Sequence, residues 1–223
     1  KLRHVIFTVR IFDAHAARTL HFCLRVENEA ALHLPTDATQ RRCCEHAFRR
    51  AANAEIEINA GLLMHRREDH TGNIALFPKA VHVFQKKELY QGYWPEKFQG
   101  RAQNGTFVLN DLVSARDYDF YEIDGDYDLF GDGEVMILST PGHTIGHQSM
   151  KVKLKSGQTV IMSQDAIWMQ ENLDGYPAGL NFSVQAYTNS LQRLKRMRDL
   201  EGAQLLMAHD EDQFKKGGQK WYK

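Results

Sequence analysis

Apolar and polar positions alternate cleanly in some stretches of the chain and recur at helical spacing in others. Val5, Phe7, Val9 and Ile11 alternate with other residues, which predicts a strand over residues 4–12. A short helix is expected over residues 13–25, and a second, with an Arg- and His-rich surface, over residues 41–54. Ile56 and Ile58 alternate with glutamates. Val81, Val83 and Phe84 predict a strand after Phe77–Pro78, and residues 85–91 a short polar helix. Residues 92–105, rich in Gly, Trp, Pro and Asn, read as a long exposed loop, and Phe107 and Leu109 open another strand.

The pattern sharpens towards the C-terminus. Asp128–Phe130 and Val135–Leu138 flank Gly131-Asp132-Gly133, a hairpin signal with glycine available for positive φ. Met150, Val152 and Leu154 alternate, Ser156–Gly157 turns the chain, and Val160 and Met162 follow, which predicts a strand pair with one face covered. Val184, Tyr187, Leu191, Leu194, Met197 and Leu200 recur every three or four positions, so a helix is expected over 184–200, with Ser183 as N-cap and Gly202 as stop. Leu205–Met207 reads as a short buried strand. Hairpins mixed with helices point to an α+β, layered αββα body rather than a purely parallel sheet.

Composition adds a boundary. The 223 residues carry 28 basic and 28 acidic side chains, a net charge of zero, which advertises neither a nucleic acid nor an anionic membrane as partner. The charge is uneven. Residues 1–66 hold nine Arg, one Lys and seven acidic residues (+3), and residues 67–223 hold six Arg, twelve Lys and twenty-one acidic residues (−3). All three cysteines (Cys23, Cys43, Cys44) lie in the first stretch and are too clustered for a disulfide framework. No apolar run is long enough for a membrane span, no signal-peptide pattern opens the chain, and a cytoplasmic location is the expectation.

Candidate chemistry sits at the ends of apolar runs. His143 follows the run 135–138, Asp165 follows 160–162 and His209 follows 205–207, while Asp69 and His70 precede Thr71-Gly72-Asn73. Loops after strands carry chemistry because a rigid sheet positions them. Imidazole nitrogen and carboxylate oxygen are ligands for zinc and similar ions. Taken singly, each of these residues is equally at home as a solvated loop residue or a cap.

Together they resemble the metallo-β-lactamase superfamily, and within it the N-acyl-homoserine lactonase-like branch. The similar segments are Glu68 to Pro78, Val83 to Leu89, Leu129 to Gly133, Thr140-Pro141-Gly142-His143-Thr144-Ile145-Gly146-His147-Gln148-Ser149, Gln164-Asp165-Ala166 and Ala208-His209-Asp210. The resemblance covers roughly residues 67–212 of a single domain over 1–223. Residues 1–66 are atypical, and the family's opening half-sheet is not recognisable in them. A shifted reading frame upstream of Arg67–Glu68, genuine divergence and a replaced N-terminal segment would each account for that break.

The resemblance implies a four-layer αββα hydrolase with two metal ions, zinc by default, with Mn, Co or Fe as alternatives. His65, His143 and a bridging Asp165 would serve one ion; Asp69, His70, His209 and Asp165 the other. The family motif His-x-His-x-Asp-His has Arg67 in place of its second His. A guanidinium offers no lone pair, so the first site lacks a ligand and one ion is an alternative stoichiometry. The implied reaction is opening of an N-acyl-homoserine lactone through a metal-bound hydroxide, with Asp69 and Asp165 as catalytic residues. Trp168 stands where the branch often has a Tyr. It and Tyr187, Trp94 and Phe98 are the candidate substrate contacts, with ordinary packing as the alternative. Aromatics near 90–98 would also suit a homodimer contact. Two further readings are a catalytically impaired or non-enzymatic relative, and a hydrolase acting on another ester, a thioester or a β-lactam.

Overall fold

The computed structural model describes the backbone of residues 3–11, 18–26, 30–33, 55–58, 81–93, 115–154 and 156–213, and the side chains from residue 81 onwards within these ranges. Eleven strands and three helices fall within them. In chain order they are β1 (Arg3–Ile11), β2 (Arg18–Val26), β3 (Ala30–His33), β4 (Glu55–Ile58), β5 (Val81–Gln85), α1 (Lys86–Tyr93), β6 (Asp119–Ile123) and β7 (Tyr127–Asp128). They continue with β8 (Val135–Ser139), β9 (Gln148–Lys153), β10 (Thr159–Gln164), α2 (Gln170–Leu173), α3 (Val184–Glu201) and β11 (Gln204–Met207). The strands form two sheets, ordered β3-β2-β1-β4-β5-β6 and β11-β10-β9-β8-β7. The fold is therefore mixed α/β. None of its described helices is long and apolar enough to cross a membrane.

The second sheet follows directly from its sequence pattern. In the β9–β10 hairpin, Val160 faces Val152 and Met162 faces Met150. Their shared face packs with Val135 and Ile137 of β8 against Val83 and Ile123 of the first sheet. The opposite face is covered too. Leu138, Ile161 and Leu205 pack against Tyr187, Leu191 and Leu194 of α3. The expectation of one covered face is thus corrected. Central strands coated on both sides bury alternate and intervening residues alike, and β10 is buried from Val160 to Gln164. Each fully buried side chain of this kind contributes about 1.5–3 kcal/mol. On the outer face of the first sheet, Phe84 packs with Leu89 of α1 and with Ala115.

Helix α3 begins and ends where its punctuation places it. Ser183 Oγ accepts the Ala186 N–H, and Gly202 adopts φ 60°. Val184 and Leu200, expected on the apolar face, are 61% and 79% exposed, because both ends of the helix overhang the sheet.

Other expectations need revision. The helix expected over 13–25 is replaced, from Arg18 on, by β2, paired antiparallel with β1 along its whole length. Leu20, Phe22, Leu24 and Val26 alternate with more polar neighbours, a strand period that pairing with β1 realises. The strand expected over 4–12 is β1, and with β2–β4 it forms an opening half-sheet whose resemblance to the family was not recognisable in the sequence, with β1 parallel to β4 and β4 parallel to β5. β6 lies where no strand was expected, since Asp119 and Glu122 interrupt its apolar pattern. The helix expected over 41–54, most of the 92–105 loop and the strand expected at Phe107–Leu109 lie outside the described residues.

Two local devices fix the ends of β8, and the second of them carries a site residue. In the β7–β8 turn, Asp128 Oδ1 accepts the N–H groups of Phe130 (3.3 Å) and Gly131 (2.9 Å), and Oδ2 accepts that of Gly133 (2.8 Å). Gly131 and Gly133 have φ of 75° and 72°, as the hairpin signal required.

The second device is the loop between β8 and β9, gripped from both sides. A Cβ on Gly142 would lie 2.2 Å from Tyr187 Cα on α3, and one on Gly146 would lie 2.5 Å from the Glu88 nitrogen on α1. Glu88, 1% exposed, accepts the Gly146 N–H through Oε2 at 2.7 Å. On the other side Ser190 Oγ donates to the Pro141 carbonyl at 2.6 Å, and the Ser183 and Phe182 N–H groups donate to the carbonyls of Gly142 and His143 at 3.0 Å each.

Asp128→Ala removes both acceptor oxygens, and with them three hydrogen bonds, from the hairpin turn and is expected to cost about 1–2 kcal/mol in denaturant unfolding, with Asp128→Asn losing less. Gly146→Ala forces backbone apart in a packed interface. A loss of about 3 kcal/mol or more is expected, read by the same titration, and an unchanged midpoint would show that α1 does not press on this loop.

Candidate functional site

Strand direction brings the candidate residues together. β8 and β10 both run antiparallel to β9, and β10 runs parallel to β11, so β8, β10 and β11 end at one edge of the second sheet. His143, Asp165 and His209 follow those three ends.

Asp165 is aimed by an irregularity. The β10–β11 register shifts between Met162 and Gln164, and Gln164 takes φ 50°, a left-handed conformation for a residue with a Cβ. Such a residue costs about 1–2 kcal/mol, and a bulge of this kind re-aims the side chain that follows it. The Asp165 carboxylate then meets two imidazoles. Its Oδ2 lies 3.0 Å from His143 Nε2, and its Oδ1 lies 2.8 Å from His209 Nε2. Asp165 is 3% exposed and His143 2%.

The His143 ring is oriented from behind, and the His209 backbone is fixed. His143 Nδ1 lies 2.8 Å from the Leu180 carbonyl, so that nitrogen carries a proton, and in the neutral ring Nε2 presents its lone pair. His143 Nε2 makes no hydrogen bond despite its closeness to Asp165. The His209 backbone N–H donates to the Trp168 carbonyl at 2.9 Å. The Trp168 ring stands edge-on to His143 (centroids 5.7 Å apart) and tilted against His209 (5.0 Å), so one indole packs against both imidazoles. Asn172 Oδ1 holds this segment by accepting the Trp168 and Met169 N–H groups at 2.8 and 3.1 Å.

Buried polar atoms without a hydrogen-bond partner gather on the same segments. Among the described residues they are His143 Nε2, Thr144 Oγ1, both amide atoms of Gln164, Trp168 Nε1, Asn181 Oδ1 and Tyr187 Oη. Folded proteins seldom leave such atoms unmatched, and each calls for a partner such as ordered water or an ion. Burial pushes the Tyr187 phenol above its usual range; the nearby Ala178 backbone offsets part of that and the Asp165 charge adds to it. Tyr187 is therefore a neutral hydroxyl over the physiological range.

Of the residues expected at a site, His143, Asp165, His209 and Trp168 come together, and Tyr187 packs beside them. His65, Asp69, His70, Trp94 and Phe98, and the departure at Arg67, lie outside the described residues. No group of three or more His, Cys, Asp or Glu side chains among the described residues surrounds a single ion position. The geometry explains why: the two imidazoles contact different oxygens of one carboxylate and do not converge on a point.

Two participants escape the sequence pattern. Gln164 is recognisable only through its φ. His147 precedes a strand rather than following one, yet Asp165 donates its backbone N–H to His147 Nε2 at 3.2 Å.

No protein-family profile matches the chain. The N-acyl homoserine lactonase AttM of Azorhizobium caulinodans is 32% identical over 156 residues, covering 66% of this chain and 56% of that protein. AttM of Rhizobium johnstonii is 30% identical over 168 residues, covering 69% of this chain and 59% of that protein. The chain thus spans less than two thirds of the length of either relative. The crystal structure of a quorum-quenching N-acyl homoserine lactone lactonase shares the fold, with a TM-score of 0.71 at 19% identity over 100% of this chain and 98% of that one. With His143, Asp165 and His209 gathered at one sheet edge in that fold, and with sequence likeness to two lactonases, the chain belongs to the metallo-β-lactamase superfamily, in its N-acyl-homoserine lactonase-like branch.

Proposed function

We propose that the chain is a metal-dependent hydrolase that opens the lactone ring of N-acyl-homoserine lactones, built as one αββα domain over residues 1–223. The observation that carries this reading is the buried Asp165 carboxylate, with a different imidazole against each oxygen and unmatched polar atoms around it. The names of the sequence relatives supply the substrate class.

The donor chemistry fits a divalent cation. His143 Nε2 is a buried lone pair with no hydrogen bond, oriented by a carbonyl behind it, which suits a metal ligand. His65, His143 and Asp165 would hold one ion, and Asp69, His70, His209 and Asp165 a second, with Asp165 bridging. Imidazole and carboxylate donors suit zinc first, and Mn, Co or Fe as alternatives. A metal bound there supplies a Lewis acid and lowers the pKa of water enough to make a nucleophile near neutral pH.

The protein's own groups do the rest. In ring opening, water oxygen joins the lactone carbonyl carbon, the ring C–O bond breaks and a proton reaches the leaving alkoxide. Asp69 is the proposed proton relay to that oxygen. Tyr187, held neutral by burial, and the Trp168 indole N–H are hydrogen-bond donors near Asp165; Trp168 can donate but not give up its proton, unlike a tyrosine. Trp168 also shields His143 and His209 from bulk water. Trp94 and Phe98 are proposed as the wall for an acyl chain.

Arg67 favours a second reading, a relative with an incomplete first site and weak or absent turnover. Metal quantification on the purified chain, paired with a lactone pH-release assay, separates the two. A chain that binds metal but releases no acid from any acyl-homoserine lactone is the impaired relative, and preferential turnover of thioesters or β-lactams moves the substrate class.

Asp165→Ala is expected to lose metal and activity together, and retained metal stoichiometry in that variant would remove Asp165 from the site. Arg67→His is expected to raise the metal bound per chain. An unchanged content at saturation would place Arg67 away from the first ion.

A further inference from the structure

We infer that His147 is a positioning residue that fixes the backbone from which Asp165 projects. This inference rests on the proposed reading of Asp165 as the bridging carboxylate. His147 is 0% exposed. Its Nε2 accepts the Asp165 N–H at 3.2 Å, so that nitrogen is unprotonated and the ring is the neutral Nδ1–H tautomer. The proton on Nδ1 faces Thr140 Oγ1 at 2.8 Å and the Thr140 carbonyl at 3.1 Å. Thr140 Oγ1 lies 2.8 Å from Ser149 Oγ, and Ser149 donates to the Ser163 carbonyl at 2.8 Å.

With the tautomer set by Asp165, the direction of every bond follows. His147 donates to Thr140, Thr140 to Ser149, and Ser149 to Ser163. The chain of bonds thus starts and ends on the same short segment, 163–165, after crossing the end of β8 and the start of β9. Gln164, between the two anchors, holds a left-handed conformation that is costly for a residue with a Cβ. The two tethers hold it there. Take away the acceptor for the Asp165 N–H, and Gln164 is free to relax and swing the carboxylate away from His143 and His209.

The role differs from that of a ligand. Nε2 is occupied by a backbone N–H, so His147 acts through Asp165. It also differs from general loop packing, because the two ring nitrogens do separate things. His147→Gln keeps an acceptor at the position of Nε2, whereas His147→Asn keeps only a group at the position of Nδ1, facing Thr140.

The test has two arms. In the wild-type chain, nitrogen NMR of His147 is expected to show the Nδ1–H tautomer, and the Asp165 amide slow hydrogen exchange, without any metal added. A protonated Nε2 in the neutral ring, or an Asp165 amide exchanging as fast as an open loop, overturns the inference directly. Cobalt(II) is then titrated into wild type and both variants, reading the visible absorption of the bound ion, with circular dichroism checking the fold. His147→Asn is expected to weaken binding by about 10–100-fold and to lose protection at Asp165, while His147→Gln recovers both. Rescue by Asn and not by Gln would show that the Thr140 contact is what matters, and overturns the positioning role. A wild-type chain that takes up no cobalt or zinc defeats the metal reading instead, and the tautomer and amide measurements still decide His147.

Discussion

A carboxylate buried at the end of a central strand is the constraint around which the described part of this molecule is arranged. Removing a charged group from water costs several kcal/mol unless partners replace its hydration. Asp165 Oδ1 has the His209 imidazole against it at 2.8 Å, Oδ2 faces the bare His143 Nε2 at 3.0 Å, and the backbone N–H is taken by a third histidine, so these described residues replace the carboxylate's hydration only in part. The local backbone accepts a left-handed residue to aim it. So much accommodation for one acidic side chain, in a core otherwise rich in aliphatic residues, is a cost that stability alone does not explain.

The surroundings of Asp165 act as a rigid frame because the loop between β8 and β9 has no room to move. Gly142 touches α3 backbone to backbone, Gly146 touches α1 in the same way, and hydrogen bonds from Ser190 and to Glu88 pin each side. The two helices sit on different sheets, so this loop also ties the sheets together. Gln148 strengthens the joint by donating to the Val83 carbonyl of the first sheet at 2.9 Å. A histidine carried on such a loop is held in place before any ligand arrives, which is what preorganisation requires.

Legibility in the sequence tracked how local the cause was. The β9–β10 hairpin and α3 were predictable because alternation, helical recurrence, the Ser183 cap and the Gly202 stop all act within a few residues. The turn at Gly131 and Gly133 was predictable for the same reason. β2 was legible too, since Leu20, Phe22, Leu24 and Val26 alternate with Thr19, His21, Cys23 and Arg25, and the helix expectation over 13–25 passed over that alternation. β1 was legible in the alternation of Val5, Phe7, Val9 and Ile11; what the sequence hid was the assembly of the opening strands into one sheet, because sheet hydrogen bonds are made by backbone and leave no mark on residue type.

For the site, the chain itself determined the chemistry: which residues are imidazoles and carboxylates, that three of them follow apolar strands, and that an arginine stands where a histidine was expected. Those facts need only residue type and spacing. Convergence was decided in three dimensions, by the strand directions that put the ends of β8, β10 and β11 at one edge. The same holds for the two least visible participants. Gln164 is an ordinary polar residue until the bulge gives it positive φ, and His147 is one more histidine in a loop until the start of β9 sets it under Asp165. Side-chain identity is written along the chain, but which nitrogen meets which oxygen depends on contacts between residues far apart in it.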